Sequence, residues 1–297
     1  MPASFPPDDS VLPDLLADPP RRARLAYHPR ESFDDRGGWA TERVFFLGVD
    51  GSWRSLEMVD LGLPESTHPG VDTYGAGELS PDGTRWAATT KAGIVLLDLR
   101  TARSRVVQIP GKFTHYLAWQ PDGSSIDVMR FSGVSTHRTW SVNARSRVVG
   151  RTPYALPIDG FADDGSMVTF TRQGPDTVRT MHRNGDQQSN LVAVPYRLAR
   201  LGGAVGQERT LFGLNRGLLV ADSASWSPLA RLRLAPGDAA GWPRGWWDRD
   251  TVWFSEGSRG LLTWNVDSGQ VRRLTRVRPA ARDETYWSAS VASNLMR

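Results

Sequence analysis

An Asp-Gly dipeptide returns along this chain at a nearly fixed interval. "SPDG" at Ser80–Gly83 is followed by "QPDG" at Gln120–Gly123 and "ADDG" at Ala162–Gly165, placing Asp82, Asp122 and Asp164 at steps of 40 and 42 residues. A second landmark keeps the step: "ARSRVV" begins at Ala102 and recurs at Ala144, 42 residues on. Self-similarity at this period marks an architecture in which one supersecondary unit is copied and stacked, because a single unit cannot bury its own apolar faces.

The unit reads as four short strands. Strand A ends at the Asp-Gly turn, where glycine accepts positive φ and the aspartate bonds back to the turn backbone. Strand B follows as "TRWAATT", "SSIDVMRF" or "SMVTFTR", strand C as "GIVLLDL" or "HRTWSV", and strand D as "SRVVQIP". Turn signals at about every 8 to 12 residues between such runs argue for an all-β chain. The same order fits "RTLFGLN", "GLLVADS" and "LARLRL" within Leu198–Leu234, and "TVWFSEG", "LLTWNVDSG" and "QVRRLTRV" within Ala239–Val277. At the start of the chain "RARLAYHP", "ERVFFLGVD" and "WRSLEMVDL" supply only three strands, and "ETYWSASVA" at Glu284–Ala292 supplies the fourth from the other end. A ring of sheets closes without a loose edge when one blade takes strands from both termini. The expectation is an all-β, six-bladed β-propeller of four-stranded antiparallel blades, closed by a C-terminal strand joining the N-terminal blade. The blades fall at residues 23–61 with 284–292, 75–110, 115–153, 155–195, 197–234 and 239–277, in one domain (23–297) behind a flexible, Pro- and Asp-rich leader (1–22).

Composition narrows the function classes. The absence of cysteine excludes a disulfide framework, a thiolate metal site and a cysteine nucleophile. No window approaches the roughly 18 consecutive apolar residues of a membrane span, and the leader lacks the basic and apolar segments of a signal peptide. The chain as written reads as soluble, cytoplasmic and monomeric; an extracytoplasmic domain of a membrane-anchored parent is the alternative. The net charge is only +4, Lys91 and Lys112 are the sole lysines, and arginines are interspersed with acids, which argues against a nucleic-acid surface.

"LSPDGTRWAA", "AWQPDGSSIDVM" and "LLTWNVDSGQVRRL" resemble the blade wording of bacterial TolB-like and WD40-like β-propeller repeat proteins, of an uncharacterised branch. The resemblance covers about Leu25 to Ala292 and is strongest in the second and third blades; the blade at 197–234 departs by lacking the Asp-Gly turn after its strand A. It implies an interaction platform, on a fold that also hosts lactonases, lyases and sialidases. Fold does not fix function.

The search for chemistry finds structural explanations first. His28, His68, His115, His137 and His182 form no metal-ligand spacing and read as surface or turn residues. "SPDGTRW" lacks the residue that separates Asp from Gly in a sialidase Asp box, so it is a hairpin device. Asp34-Asp35 and Asp163-Asp164 sit in loop and turn contexts, "LGGAVG" at Leu201–Gly206 precedes no helix, and no G-x-S-x-G elbow occurs. Trp140, Trp253 and Trp264 fall in strands and read as filling between blades; "WPRGWW" at Trp242–Trp247 has irregular backbone and reads as core or as a stacking platform. Loops at the mouth of a propeller channel bring His68, Asp72, Tyr74, His115, Tyr154, Arg200, Trp242, Arg244 and Tyr286 forward as candidate ligand-binding residues. The reading is a non-catalytic module for a protein or small ligand, with no cofactor. The alternative is a metal-dependent lactonase- or lyase-like enzyme, holding Ca2+ or another divalent cation at the channel mouth.

Overall fold

The computed structural model describes residues 4–5, 12–29, 43–61, 77–90, 93–111, 113–131, 137–146, 148–152, 160–161, 167–172, 177–184, 186–193, 203–205, 208–214, 217–223, 225, 227–234, 241–256, 260–277, 287–292 and 295. It falls into two compact units, one of Pro6–Pro157 with Pro279–Met296, the other of Met1–Phe5, Ile158–Arg278 and Arg297.

A short strand, β1 (Ser4–Phe5), comes first. The unit containing Pro6–Pro157 then builds three sheets: β2 (Ala23–Pro29), β3 (Arg43–Gly48) and β4 (Trp53–Glu57); β5 (Glu78–Leu79), β6 (Arg85–Thr89), β7 (Gly93–Asp98) and β8 (Arg103–Gln108); β9 (Phe113–Trp119), β10 (Ser125–Phe131), β11 (His137–Asn143) and β12 (Val149–Arg151). The other unit holds β13 (Gly160–Phe161), β14 (Met167–Arg172), β15 (Thr177–Asn184) and β16 (Asp186–Ala193); β17 (Gly203–Val205), β18 (Arg209–Leu214), β19 (Gly217–Asp222) and β20 (Pro228–Arg233); β21 (Gly241–Trp246), β22 (Thr251–Glu256), β23 (Gly260–Asn265) and β24 (Val271–Val277). The last strand, β25 (Trp287–Val291), pairs antiparallel with β2, giving the order β25-β2-β3-β4. The leading strands of successive sheets are neighbours, β25 with β5 and β5 with β9 in one unit, β13 with β17 and β17 with β21 in the other. These are the antiparallel blades of a β-propeller.

Five sheets have the expected four antiparallel strands. The expectation of six such blades is corrected at the sheet β1-β24-β23-β22-β21, where β1 adds in parallel through Ser4 opposite Arg276 and Phe5 opposite Val277. An outer strand presents unpaired N–H and C=O groups, and an extended segment nearby satisfies them. The other unit uses its edge likewise. Ser55 of β4 donates to the Pro13 carbonyl at 3.0 Å and accepts from Leu15 N–H at 2.8 Å, forming a parallel bridge with Asp14. Leu15 is fully buried, and Arg54 of β4 pairs with Asp18 (3.0 Å) and Asp50 (2.8 Å). Two pieces of the segment expected as a free leader are therefore strand-paired, because "LPDLL" offers an apolar anchor along with its backbone.

The repeated turn has one geometry. Gly83 N–H donates to Ser80 O (2.8 Å) and Thr84 N–H to Asp82 Oδ1 (3.0 Å); in the next blade Gly123 N–H donates to Gln120 O (2.8 Å) and Ser124 N–H to Asp122 Oδ1 (2.8 Å). The two glycines have φ of 69° and 68°, a left-handed conformation that glycine adopts without steric cost. Burial pushes the Asp82 carboxyl up, but hydrogen bonds from Ser80 and Thr84 outweigh it and hold it below the ordinary 3.8.

A second repeat is invisible in the sequence. The residue after strand C donates its N–H to the carbonyl of the residue before strand B: Val49 to Arg22, Leu99 to Thr84, Ala144 to Ser124, Ser223 to Glu208 and Val266 to Asp250, at 2.8–3.1 Å. Backbone groups make this bond, so side-chain identity does not mark it. It occurs in the β17–β20 sheet, which has no Asp-Gly turn between β17 and β18.

Strand C explains its own sequence. In β7, Val95 and Leu97 join a core with Ala26, Val44, Phe46 and Trp86, while Ile94 and Leu96 join another with Ile126, Val128 and Val142. Both faces are buried, so the strand reads "GIVLLD" without polar alternation. In the other unit Leu211, Leu218 and Val220 pack against Val252, Phe254 and Trp264 in the same way.

Candidate functional site

Two of the nine candidate residues share an unexpected backbone feature. Along β9 and β10, Met129 lies opposite Tyr116 and Arg130 opposite Thr114, leaving His115 as an extra residue. Along β21 and β22, Pro243 lies opposite Phe254 and Gly245 opposite Trp253, leaving Arg244 as an extra residue. Each is a β-bulge on the leading strand of its sheet. A bulge bends the strand and re-aims the extra side chain, which is why bulges gather next to binding and active sites.

Local chemistry supports each bulge. Opposite Thr114, beside the first bulge, the Arg130 guanidinium is buried and donates to the carbonyls of Ile109 and Gly111 (the latter at 2.8 Å), the residues that lead into β9. Desolvation lowers the pKa of Arg130, yet a guanidinium stays charged, so these carbonyls receive charge-assisted bonds. At the second bulge Gly245 has a φ of 142°, and a Cβ there would stand 3.2 Å from Trp253 Nε1. A side chain would press on the indole that backs the bulge. Arg244 itself is half-buried, and the half-buried Trp247 meets Trp253 edge-on at 6.5 Å and 66°.

Trp242 lies on β21 beside the bulge. His68, Asp72, Tyr74, Tyr154, Arg200 and Tyr286 lie outside the described residues. The tryptophans read as filling are buried at Trp253 and Trp264, and Trp140 packs against the core of β6, β7 and β10. Within "WPRGWW", Trp246 joins the core of the β18–β24 blades while Trp247 keeps part of its surface.

His28 corrects an expectation. Read as a surface or turn histidine, it is 2% exposed on β2, its ring stacked on Trp86 at 5.6 Å. A flat polar ring fills the seam between the first two blades as well as an apolar one would. Asp127 and Arg130 were also missed, although two charges inside "SSIDVMRF" were a readable signal, since strand B of a blade is covered on both faces. Among the described residues no group of three or more metal-binding side chains occurs, and no helix is long and apolar enough to cross a membrane.

Asp127 has a measurable consequence. It is 1% exposed, lies opposite Ser141, and burial raises its carboxyl above the ordinary 3.8 against weaker hydrogen bonds from Ser141 and Gln120. The folded chain then holds that proton more tightly than the unfolded chain. Stability falls as pH rises from the unfolded value through the raised folded value, and is lower by the full amount beyond it. Asp127→Asn removes this term. Calorimetry between about pH 4 and about pH 7 should show the variant gaining on the parent as pH rises; a melting difference that stays constant over that range contradicts the assignment.

Comparison with solved structures identifies the architecture. TolB from Acinetobacter baumannii aligns with a TM-score of 0.59 at 16% identity, over 91% of this chain and 66% of that one. The chain has a TolB-like β-propeller fold. It thus spans about two thirds of the TolB chain it matches. A TolB-type protein from Agrobacterium tumefaciens aligns at 0.50 and 12% identity over 90% of this chain and 97% of that one. A chain of a mitotic checkpoint complex aligns at 0.53 and 13% identity over 96% and 88%. No family model matches the sequence, and no curated protein matches it. At these identities the likeness is one of fold.

Proposed function

We propose that this propeller is a non-catalytic binding module for a protein or small ligand, with the leading-strand bulge of His115 in one unit and that of Arg244 in the other as separate contact points, each judged by itself. The six-blade count belongs to this reading, with the five-stranded sheet taken as the sixth blade. The observation that carries it is the coincidence of both bulges with residues picked independently from the sequence as ligand-facing. A propeller holds its leading strands rigidly by the sheet behind them, so a bulge there offers a pre-oriented side chain at little entropic cost. The remaining candidates, His68, Asp72, Tyr74, Tyr154, Arg200, Trp242 and Tyr286, belong to the same reading. The alignment with a chain of a checkpoint complex supports a protein partner.

The test is quantitative affinity capture with the full chain and with His115→Ala and Arg244→Ala, each checked for an unchanged melt. At least one captured species should fall about ten-fold with a variant, in the range of losing a buried polar contact. No resident metal is part of the reading, so EDTA should leave capture unchanged. Equal capture by all three proteins, or loss of capture with EDTA alone, sinks it.

A further inference from the structure

Among the described residues, two that are not glycine have positive φ, Arg21 (60°) and Ala102 (54°). Ala102 sits in the turn between β7 and β8, where a left-handed residue routinely completes a short hairpin loop. Arg21 is different. It is the central residue of a three-residue turn closed by Arg22 N–H on Pro20 O at 2.6 Å, and with a positive central φ this is the rare, strained form of γ-turn. The turn follows Pro19 and Pro20 and leads directly into β2 at Ala23. Ahead of it, residues 13–20 are seated on β3 and β4. Beyond the two backbone bonds to Ser55, Leu15 packs with Val44, Phe46 and Leu56, and Arg54 Nε donates to Asp18 O at 2.7 Å. Pro20 lies against Gly48, where a Cβ would stand 3.1 Å from the proline ring.

We propose that residues 13–20 exchange between two copies of this chain, each copy laying its segment on β3 and β4 of the other, with Arg21 as the hinge. The seat is the same in the closed and exchanged forms, so its contacts favour neither. What differs is the hinge, which is bent through a φ of 60° in the closed form and extended in the exchanged one. Strain in a short hinge drives exchange of this kind, and a dimer contains two hinges, so the relief counts twice. Residues upstream of Pro13, β1 among them, are carried along. The result is a dimer in which each copy receives a fully buried leucine, Leu15 of the segment, into the core of its first two blades. The inference goes beyond the leading-strand reading and does not depend on it, since substitutions at the hinge leave His115 and Arg244 in place.

The test is size-exclusion chromatography with light scattering on the full chain, Arg21→Gly and Arg21→Pro, each incubated at high concentration and checked by its melt. Glycine accepts the closed turn without strain and should lower the dimerisation constant by at least about ten-fold. Proline, locked at a φ of about −65°, excludes the closed turn and should raise the constant by at least about ten-fold. A second arm uses the cysteine-free background. Chains carrying Asp14→Cys are mixed with chains carrying Ser55→Cys, incubated and oxidised; a disulfide-linked heterodimer should form, because Asp14 lies opposite Ser55 in the parallel bridge. Neither variant alone should cross-link. The linked fraction should rise when both chains carry Arg21→Pro and fall when both carry Arg21→Gly, and the same mixture in the parent background decides the matter if Arg21→Pro does not fold. Equal dimerisation of the three hinge forms, absence of the mixed cross-link, or a dimer whose two single variants do not cross-link and which is therefore joined elsewhere each overturns the proposal.

Discussion

Removal of residues 287–297 is expected to abolish cooperative unfolding of the unit that contains β2. The deleted strand β25 pairs with β2 over five residues, Leu25 to Pro29, and Ala292 N–H extends the ladder to Arg24 O at 3.0 Å. Its loss uncovers the edge of a strand whose Leu25, Ala26, Tyr27 and His28 are all nearly inaccessible to water. It also removes Ser290 Oγ, the acceptor for Leu79 N–H at 3.0 Å on the neighbouring blade, and Ala292, which is packed in the core shared by the first two blades. A buried backbone group left without its partner costs about 1–3 kcal/mol, so a handful of them matches the roughly 5–15 kcal/mol by which a whole domain is stable. Ser290→Ala is the control. It deletes one side-chain acceptor, is expected to cost about 1–2 kcal/mol, and leaves the ladder in place. The measurement is a calorimetric or circular-dichroism melt of both proteins. A truncated chain that still melts cooperatively within a few degrees of the parent refutes the closure.

That same closure shows what a sequence can and cannot display. Three strands at the start and a spare strand near the end formed a pattern because pairing partners may be far apart, provided the apolar alternation of each is intact. The Asp-Gly turns were legible because positive φ selects glycine, and Gly83 and Gly123 both show it. The β17–β20 blade was harder to read, since the feature it shares with the others is a backbone bond, Ser223 to Glu208, that any residue type can make. β1 was missed for a related reason. Two residues of strand, framed by prolines, have no periodicity to detect, and their pairing is dictated by the open edge of β24. Among site residues, His115 and Arg244 were read with the loops at the channel mouth, whereas they lie within β9 and β21 as bulges that depend on register across two strands. Burial at His28 was hidden because the residue that covers it, Trp86, is 58 positions away.

Trp86→Ala is the point substitution with the largest expected effect, about 3–5 kcal/mol. Trp86 is completely buried in the core between the first two blades, stacked on His28 at 5.6 Å and edge-on to Phe46 at 5.7 Å. Gly77 lies against it so closely that a Cβ would come within 2.4 Å of the indole, and this backbone cannot close inward to fill a large void without losing that fit. Trp119 offers the comparison that identifies the cause. Its Nε1 donates to Glu78 O at 2.9 Å, whereas Trp86 Nε1 has no hydrogen-bond partner among the described residues. If apolar area holds the blades together, Trp86→Phe should recover most of the loss seen with alanine, because the phenyl ring restores contact and no hydrogen bond was present to lose. Trp119→Phe should be penalised further, by about 1 kcal/mol for the lost indole hydrogen bond. Denaturant titrations of the three variants distinguish these outcomes. A Trp86→Phe chain no more stable than Trp86→Ala means that the seam requires the shape of the indole itself, and that His28 stacking, rather than buried area, sets the spacing of the two blades.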